Sequence, residues 1–453
     1  MIGLSLWWIN FNARGLFLDE ANLARNIAEL NWTEFFKPLK YDQYAPPLYG
    51  ILLKVLGESL GYSEWPLRLP SLIGGLATLV GLWMAGNKMG LAQWKLAALA
   101  FCFISPLVLR YVGELKPYAL DMGLSSLLLA WALSKPKPRW WFAPIGFGLV
   151  WLSFPMVFSL ASTLIYLLLT QKSDQRPWLV VGLFWFSGFL ILYISLLSVE
   201  SREANLQNFH SNYFFPWKLW TIDAWKSIIR LGLSPLKHGF GFTVLAQVVS
   251  GLAIVWALST IKKIRWPILV LLLGPTLLAV GASVFGKYSL IPRLMLFSLP
   301  GLWLLACWGW QLQQKRISAY GKMLVPAVVL ILIPSTNVIR HFRNPLQVGQ
   351  VKNMLLSLPS DRPVFVDYWA IPAVKYYREI NEPSIGPDVV YNYCDPPCPI
   401  ELISPPYAVI FSMKTINRVN QRISSITSKI DTDSTLLEHS FFFRGQIIKA
   451  DLR

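Results

Sequence analysis

Two adjacent carboxylates near the amino terminus are the first candidates for chemistry in this chain. Asp19 and Glu20 follow a short apolar run that ends near residue 11. Paired carboxylates at the end of an apolar helix suit a general base or a cation site. The alternative is that Asp19 caps the helix that follows it, which is predicted to end near Leu30. The pair alone leaves both interpretations open.

A second group of ionisable residues surrounds Pro117. Pro117 disfavours helical backbone at Lys116, so a helix is predicted to begin at Pro117. Asp121 then lies about one turn inside this helix. An ionisable residue at that depth needs a partner or a water-filled cavity. Lys116 and Arg110 are the candidate partners for Asp121, and Glu114 lies between them in the sequence. A structural cluster of ion pairs explains these residues equally well.

Cations also precede two other apolar runs. Arg68 lies in Arg-Leu-Pro-Ser, and Arg293 follows Lys287 by six residues in Lys-Tyr-Ser-Leu-Ile-Pro-Arg. A guanidinium can bind a phosphate with two hydrogen bonds, but a single arginine near a membrane surface also serves as an interface anchor. These residues are therefore candidate phosphate ligands.

The composition predicts a polytopic membrane protein. Of the 453 residues, 54% are hydrophobic and 14% charged, against about 25% charged in soluble domains. The net charge of +17 is concentrated in short clusters between apolar runs, as in cytoplasmic loops, which argues against nucleic-acid binding. Eleven candidate spans are predicted: 1–11, 66–87, 96–112, 118–134, 141–154, 156–170, 178–198, 240–260, 266–285, 291–310 and 322–339.

The first of these runs is short for a membrane span. About nine apolar residues make roughly 14 Å of helix, against a hydrocarbon core of about 30 Å. Either Asn10 and Asn12 reach the headgroups, or the true start codon lies upstream of Met1. We favour the second explanation.

The basic clusters fix the predicted orientation. They fall on one side of the eleven spans, which the positive-inside rule makes cytoplasmic. The opposite, outer side then receives residues 12–65, the junctions at 110–121 and 286–293, the loop 199–239 and everything after residue 340. We expect a bacterial plasma membrane with the active face outside.

The last part of the chain changes character. Residues 340–453 are polar, and we predict a small extracytoplasmic α/β domain there, distinct from a transmembrane domain at 1–339. Strands are expected at 364–366 and 407–411, a helix at 373–378 and a hairpin arm at 440–449. Cys394 and Cys398 could form a disulfide in an oxidising compartment.

Taken together, these motifs resemble the GT-C-type integral-membrane glycosyltransferases, in particular the family 39-like enzymes that use polyprenyl-phosphate sugars. The resemblance covers roughly residues 1–339 and keeps the order and spacing of the motifs. The matching motifs are Asp19-Glu20, Ala45-Pro46-Pro47-Leu48-Tyr49, Arg68-Leu69-Pro70-Ser71 and Glu114–Leu120. Ala45 replaces the histidine expected in the second motif, so any role of that histidine is absent here.

The resemblance implies an all-α, GT-C-like membrane fold and a specific reaction. A polyprenyl-phosphate sugar donor enters from the outer leaflet, and an acceptor hydroxyl attacks the anomeric carbon with inversion. Asp19 is then the general base, with Glu20 orienting it or the acceptor. The implied phosphate ligands are Arg293, Lys287, Lys116 and, more weakly, Arg68. Residues implied to contact sugar or acceptor, or to support the site, are Asp42, Tyr44, Glu114, Tyr118 and Asp121.

Several points stay open at this stage. The acceptor could be a glycan, a lipid or a protein, and the sugar is not determined. Oxygen ligands from Asp19, Glu20 and Asp42 could gather a divalent ion, but the cationic phosphate site favours a reaction that needs no cofactor. The alternative functions are a lipid-linked sugar flippase, a non-catalytic membrane scaffold, and a polysaccharide polymerase or ligase. The charges cluster near one face rather than at the midplane, which favours the transferase.

Overall fold

The computed structural model describes most of the chain. The described residues are 2–12, 15–200, 204–241, 243–260, 266–314, 329, 332–333, 335–336, 338–339, 351–382, 385–394, 407–412, 435–442 and 445–452.

The described part is mainly helical up to residue 314. The first seven helices are α1 (Ile2–Asn12), α2 (Leu18–Glu29), α3 (Pro47–Leu60), α4 (Glu64–Lys88), α5 (Lys95–Ile104), α6 (Pro106–Tyr111) and α7 (Tyr118–Leu133). The next nine are α8 (Phe142–Leu152), α9 (Met156–Thr170), α10 (Gln175–Leu192), α11 (Ser198–Glu200), α12 (Ala204–His210), α13 (Ile222–Gly239), α14 (Val244–Ser259), α15 (Trp266–Val284) and α16 (Leu299–Gln314). A 3₁₀ helix at Pro292–Ser298 leads directly into α16.

Four stretches among the described residues are long and apolar enough to cross a bilayer. They are Glu64–Lys88, Lys172–Leu197, Trp266–Val284 and Pro292–Gln314, and shorter apolar helices accompany them. The predicted count of eleven spans is therefore not reproduced. The predicted span 322–339 lies mostly outside the described residues, and the predicted span 96–112 is interrupted at Ser105, because Pro106 cannot continue the hydrogen-bond ladder of α5.

The stretch 141–170 forms two helices, as predicted. Helix α8 ends at Leu152, and α9 begins at Met156, directly after Pro155. Helix α7 begins directly after Pro117, which also agrees with the sequence-based expectation.

Helices α4 and α7 pack with their backbones in close contact. A side chain at Gly74 would collide with the carbonyl oxygen of Ala119, and one at Gly123 would collide with that of Gly74. Small residues allow this approach, as is usual between membrane helices. The close packing brings the start of α7 against Gly74 of α4, and Ser71, one turn earlier in α4, against the loop before α7.

The carboxyl-terminal part contains two further helices, α17 (Val351–Leu356) and α18 (Ile371–Lys375), and a sheet of five strands. The strands are β1 (Val364–Asp367), β2 (Tyr391–Cys394), β3 (Tyr407–Ser412), β4 (Thr435–Phe442) and β5 (Gly445–Leu452). Their order is β2-β1-β3-β5-β4, with β1 parallel to β2 and β3, and β5 antiparallel to β3 and β4.

The strands predicted at 364–366 and 407–411 and the helix near 373–378 are confirmed, the helix continuing as a π-helical turn at Tyr376–Asn381. The arm predicted at 440–449 is wrong in extent, because the connection between β4 and β5 falls inside it. The division into separate domains at residue 340 stays a prediction.

Two large hydrophobic cores and a smaller one around Phe297 are formed by the described residues. One joins the apolar helices, from Leu6 in α1 to Trp310 in α16. The other large core joins residues 16–67, the outer segment of the predicted topology, to the carboxyl-terminal part, with Leu23 and Ile27 of α2 buried together with Val374 and Tyr377. The sheet region therefore packs on the same segment that carries Asp19 and Glu20.

Candidate active site

The two carboxylates at the start of α2 have opposite environments. Helix α2 begins at Leu18 after Phe17, whose side chain provides no cap, so Asp19 lies in the first turn and is not the N-cap. The expectation that Asp19 caps this helix is wrong. Asp19 is exposed, whereas Glu20 is only 2% exposed. Of the two side chains, Asp19 is therefore the one accessible to a molecule in solution.

Glu20 is the centre of a buried polar network. Its Oε1 lies 3.2 Å from Nη2 of Arg68 and accepts a hydrogen bond of 2.7 Å from the backbone N–H of Leu115. The guanidinium of Arg68 also donates to the carbonyl oxygens of Phe11 and Gly15. A buried ion pair persists only when such additional hydrogen bonds offset its desolvation. Glu20 therefore ties α1, α2, α4 and the loop before α7 together.

This network changes the interpretation of Arg68. The residue was expected to lie at the interface and was a weaker candidate for the phosphate. It is 0% exposed and its charge is balanced by Glu20. Phosphate binding by Arg68 stays untested, but its burial and its ion pair favour a structural role.

Ser71 holds the loop between α6 and α7. Its hydroxyl lies 2.8 Å from the carbonyl oxygen of Glu114 and 2.9 Å from that of Lys116. With the contact from Glu20 to Leu115, three consecutive residues of this loop are fixed by side chains from α2 and α4. The Arg-Leu-Pro-Ser motif thus positions the loop that carries Lys116.

Lys116 is a buried cation directed towards the outer segment. Its Nζ donates a hydrogen bond of 2.9 Å to Oε1 of Gln43, and the residue is 8% exposed. Burial lowers the pKa of Lys116, and the charge of Arg293 lowers it further, whereas the charge of Asp19 raises it. Lys116, Arg293 and Asp19 are therefore close enough to interact electrostatically.

The expected partners of Asp121 are engaged elsewhere. Nε of Arg110 lies 2.7 Å from Oε2 of Glu114, and Lys116 binds Gln43. Asp121 lies in the first turn of α7, as predicted, and is 5% exposed. Its Oδ1 has no hydrogen-bond partner among the described residues. The pairing of Asp121 with Arg110 or Lys116 is wrong, and the carboxyl group is left at the edge of the polar network.

Arg293 is a half-buried guanidinium at the start of the last described membrane helix. Its Cζ lies 5.8 Å from the ring centre of Phe209, and its Nε has no hydrogen-bond partner among the described residues. No carboxylate of the described chain forms an ion pair with it. A partly buried cation without an ion-pair partner among the described residues is suited to binding a phosphate.

The other predicted site residues lie at the periphery of this group. Lys287 is exposed in the link between α15 and Pro292. Asp42 is exposed in a turn in which it and Tyr41 both have left-handed backbone angles, with φ of 50° and 62°. Tyr44 is half-buried, and the ring of Tyr118 packs edge-on against that of Tyr111, with 5.0 Å between ring centres.

Two further residues lie beside these cations. Gln43, which the sequence offers with Asp42 as a substitute for the histidine that Ala45 replaces, contributes a side-chain oxygen to Lys116. His210 has a buried Nδ1 without a hydrogen-bond partner among the described residues. Burial and the charge of Arg293 lower the pKa of His210 to about 4. Nothing near His210 in the sequence signals its proximity to Arg293, because the two residues are far apart in the chain.

The predictions about a metal ion and a disulfide bond both stay predictions. Within the described residues, no group of three His, Cys, Asp or Glu side chains could hold a metal ion. Glu20, one of the three suggested oxygen ligands, is already bound to Arg68. Metal independence stays a prediction. The disulfide between Cys394 and Cys398 falls outside the described residues, because Cys398 is not among them.

Comparison with known proteins identifies the fold. No protein-family model and no curated protein matches the sequence. Two solved structures of ArnT from Cupriavidus metallidurans match at 14% identity, over 99% of this chain and 96% of theirs. One is bound to undecaprenyl phosphate, with a TM-score of 0.50, and one is in the apo state, with a TM-score of 0.51. The resemblance to GT-C-type enzymes is thereby confirmed for the fold, and this chain has the fold of ArnT.

Proposed function

We propose that the protein is an inverting membrane glycosyltransferase, which moves a sugar from a polyprenyl-phosphate donor to an acceptor hydroxyl at the outer face of the membrane. The observation that carries this proposal is the electrostatic interaction of an exposed carboxylate, Asp19, with a buried cation, Lys116, and a half-buried cation, Arg293. Undecaprenyl phosphate bound to ArnT, which has this fold, supports a phosphate-linked polyprenyl lipid as the donor.

The two cations suit the leaving group of this reaction. When the bond between the anomeric carbon and the phosphate oxygen breaks, its electron pair stays on the lipid phosphate. Lys116 and Arg293 would neutralise this charge in a site of low dielectric, where such interactions are strongest. Arg293 has no counter-charge of its own among the described ion pairs, so an incoming phosphate would supply it.

Asp19 suits the other half of the reaction. Its carboxylate would accept the proton of the attacking hydroxyl while the oxygen of the acceptor forms its bond to the anomeric carbon. Exposure allows Asp19 to meet an acceptor, and the fixed first turn of α2 holds it in place. Glu20 would act through position rather than proton transfer, since Arg68 and the N–H of Leu115 already bind it.

Replacement of the general base tests the proposal. Asp19→Asn should lower transfer by about 10²–10⁴-fold. Lipid-linked sugars and envelope glycans would be compared by mass spectrometry in a deletion strain carrying wild type, Asp19→Asn or no gene. We expect the variant to lack one glycosylated product and to accumulate a polyprenyl-phosphate sugar, as the deletion does.

Asp223→Asn is the matched control. It removes an exposed carboxylate from α13, whose only described partner is the exposed Lys226. This variant should match wild type. Full transfer by Asp19→Asn, with both proteins present at equal amounts in the membrane, would overturn the assignment of the base.

A further inference from the structure

The carboxyl-terminal part contacts the segment before Asp19 through one hydroxyl group. Tyr377 lies in the π-helical turn Tyr376–Asn381 and is 0% exposed. Its hydroxyl accepts a hydrogen bond of 2.8 Å from the backbone N–H of Leu16 and donates one of 2.8 Å to Oε1 of Glu64. A single side chain thus connects the residue two before α2 with the first residue of α4.

Both contacts lie close to the proposed site. Leu16 is three residues before Asp19, and Glu64 is one helical turn before Arg68, which binds Glu20. The aromatic ring belongs to the core that joins α2 to the carboxyl-terminal part. The core with the sheet region therefore holds the ring of Tyr377, and the hydroxyl of Tyr377 in turn binds the backbone of Leu16.

The neighbouring tyrosine makes a different contact at the same interface. The hydroxyl of Tyr376 donates to the carbonyl oxygen of Tyr62, which also accepts a hydrogen bond of 2.9 Å from Asn381. Tyr376 is equally buried, but its hydroxyl donates to the link between α3 and α4, and among the described hydrogen bonds none joins it to residues 15–20. The chain thus provides its own matched control.

We infer that Tyr377 is a positioning residue for Asp19, through which the carboxyl-terminal part holds the catalytic segment in place. The inference rests on the proposed function, since it names the residue that positions the proposed base. Removing the hydroxyl releases the N–H of Leu16 and frees the start of α2 to shift. A shift of about 1 Å at a reacting group is enough to lower the rate strongly while binding is retained.

The test compares Tyr377→Phe with Tyr376→Phe in the full chain, purified in nanodiscs. Hydrogen exchange of the peptide covering residues 15–24 reports the position of the segment. Binding of undecaprenyl phosphate reports the phosphate site, and the amount of the glycosylated product reports transfer. We expect Tyr377→Phe to speed exchange, to lower transfer about 10-fold and to change lipid affinity less than twofold, while Tyr376→Phe behaves as wild type.

Glu64→Ala provides a second variant, in case Tyr377→Phe does not fold. It removes the acceptor of the Tyr377 hydroxyl and leaves the buried ring in place, so it should also speed exchange in residues 15–24 and lower transfer. Wild-type transfer by both variants would overturn the inference. So would equal losses in Tyr377→Phe and Tyr376→Phe, because a general weakening of the interface would then explain them.

Failure of the proposed function gives a different pattern. If Asp19→Asn retained transfer, Asp19 would not be the general base, and that part of the proposed function would be wrong. The difference in exchange between Tyr377→Phe and Tyr376→Phe would still show whether Tyr377 fixes the segment.

Discussion

At the scale of single residues, the charged side chains around the proposed site fall into two groups. Some form ion pairs within the protein, and others have no ion-pair partner among the described residues and can bind a substrate. Glu20 and Arg68 neutralise each other in the interior, and Glu114 binds Arg110. Among the described residues, the ammonium group of Lys116 binds a neutral amide, and neither Lys116 nor Arg293 forms an ion pair. This separation distinguishes candidate phosphate ligands from structural cations of the same residue type.

The first prediction concerns Arg293. Arg293→Ala should weaken binding of undecaprenyl phosphate by about 10–100-fold, because charge-assisted hydrogen bonds to a phosphate contribute about 1.5–3 kcal/mol. Lys226→Ala, which removes an exposed cation from α13, should bind as wild type. The affinities can be measured by titration of the purified protein in nanodiscs. Equal affinities of the two variants would exclude Arg293 from the phosphate site.

The second prediction concerns the pH dependence of lipid binding. Burial lowers the pKa of Lys116 from its ordinary value of 10.5, so the free protein loses this charge at a lower pH than an exposed lysine would. A bound phosphate favours the charged form and raises the pKa again. Binding should therefore take up a proton, and affinity should fall as the pH rises through the lowered pKa of the free protein.

Lys116→Arg is the control for this effect. A guanidinium stays charged throughout the accessible pH range, so the variant should lose the alkaline fall in affinity. The measurement is the dissociation constant of undecaprenyl phosphate at a series of pH values. An unchanged alkaline fall in Lys116→Arg would assign the titration to another group.

At the scale of elements, the site depends on the contact between α4 and α7. This contact brings Ser71 to the loop of Glu114 and Lys116, and it requires that the two backbones touch at Gly74. Gly74 therefore helps to position the site, because it allows the close contact between α4 and α7, although it lies inside an apolar helix.

The third prediction tests this contact. Gly74→Ala should lower the free energy of unfolding by about 1–3 kcal/mol, because the added methyl group meets the backbone of Ala119 and forces the helices apart. Gly148→Ala in α8 is the control, since its methyl group would meet nothing within 4 Å. Thermal unfolding in detergent compares the two variants. A Gly74→Ala variant as stable as Gly148→Ala would show that α4 and α7 need no such close contact.

At the scale of the whole molecule, the carboxyl-terminal part completes the core of the outer segment. Leu23 and Ile27 of α2 are fully buried together with residues of α18 and β1. Without that part, these side chains would face water. The outer segment that carries the proposed base is therefore stabilised by residues more than 300 positions away in the chain.

The fourth prediction concerns a chain that ends at residue 340. Removal of the carboxyl-terminal part should abolish transfer and speed hydrogen exchange throughout α2, because the apolar face of this helix loses its cover. Exchange in α9, which belongs to the core of the apolar helices, should stay unchanged and serves as the internal control. Full protection of α2 in the shortened chain would contradict the shared core.

The sequence by itself determined the membrane class, the starts of α7 and α9 after prolines, and the motifs that converge on one site. These features depend on composition and on local backbone restrictions, which are visible over a few residues. The strands β1 and β3 were also predictable, since apolar β-branched residues mark them.

Only the tertiary structure decided which charges pair. Asp121 could be assigned Arg110 or Lys116 from sequence distance, yet Arg110 pairs with Glu114 and Lys116 binds Gln43 from the outer segment. The same holds for Arg68 with Glu20 and for Tyr377 with Leu16, which are separated by 48 and 361 positions. Side chains select partners by proximity in the folded chain, where burial makes an unpaired charge costly. That proximity is set by how α2, α4, the loop before α7 and the carboxyl-terminal part pack together.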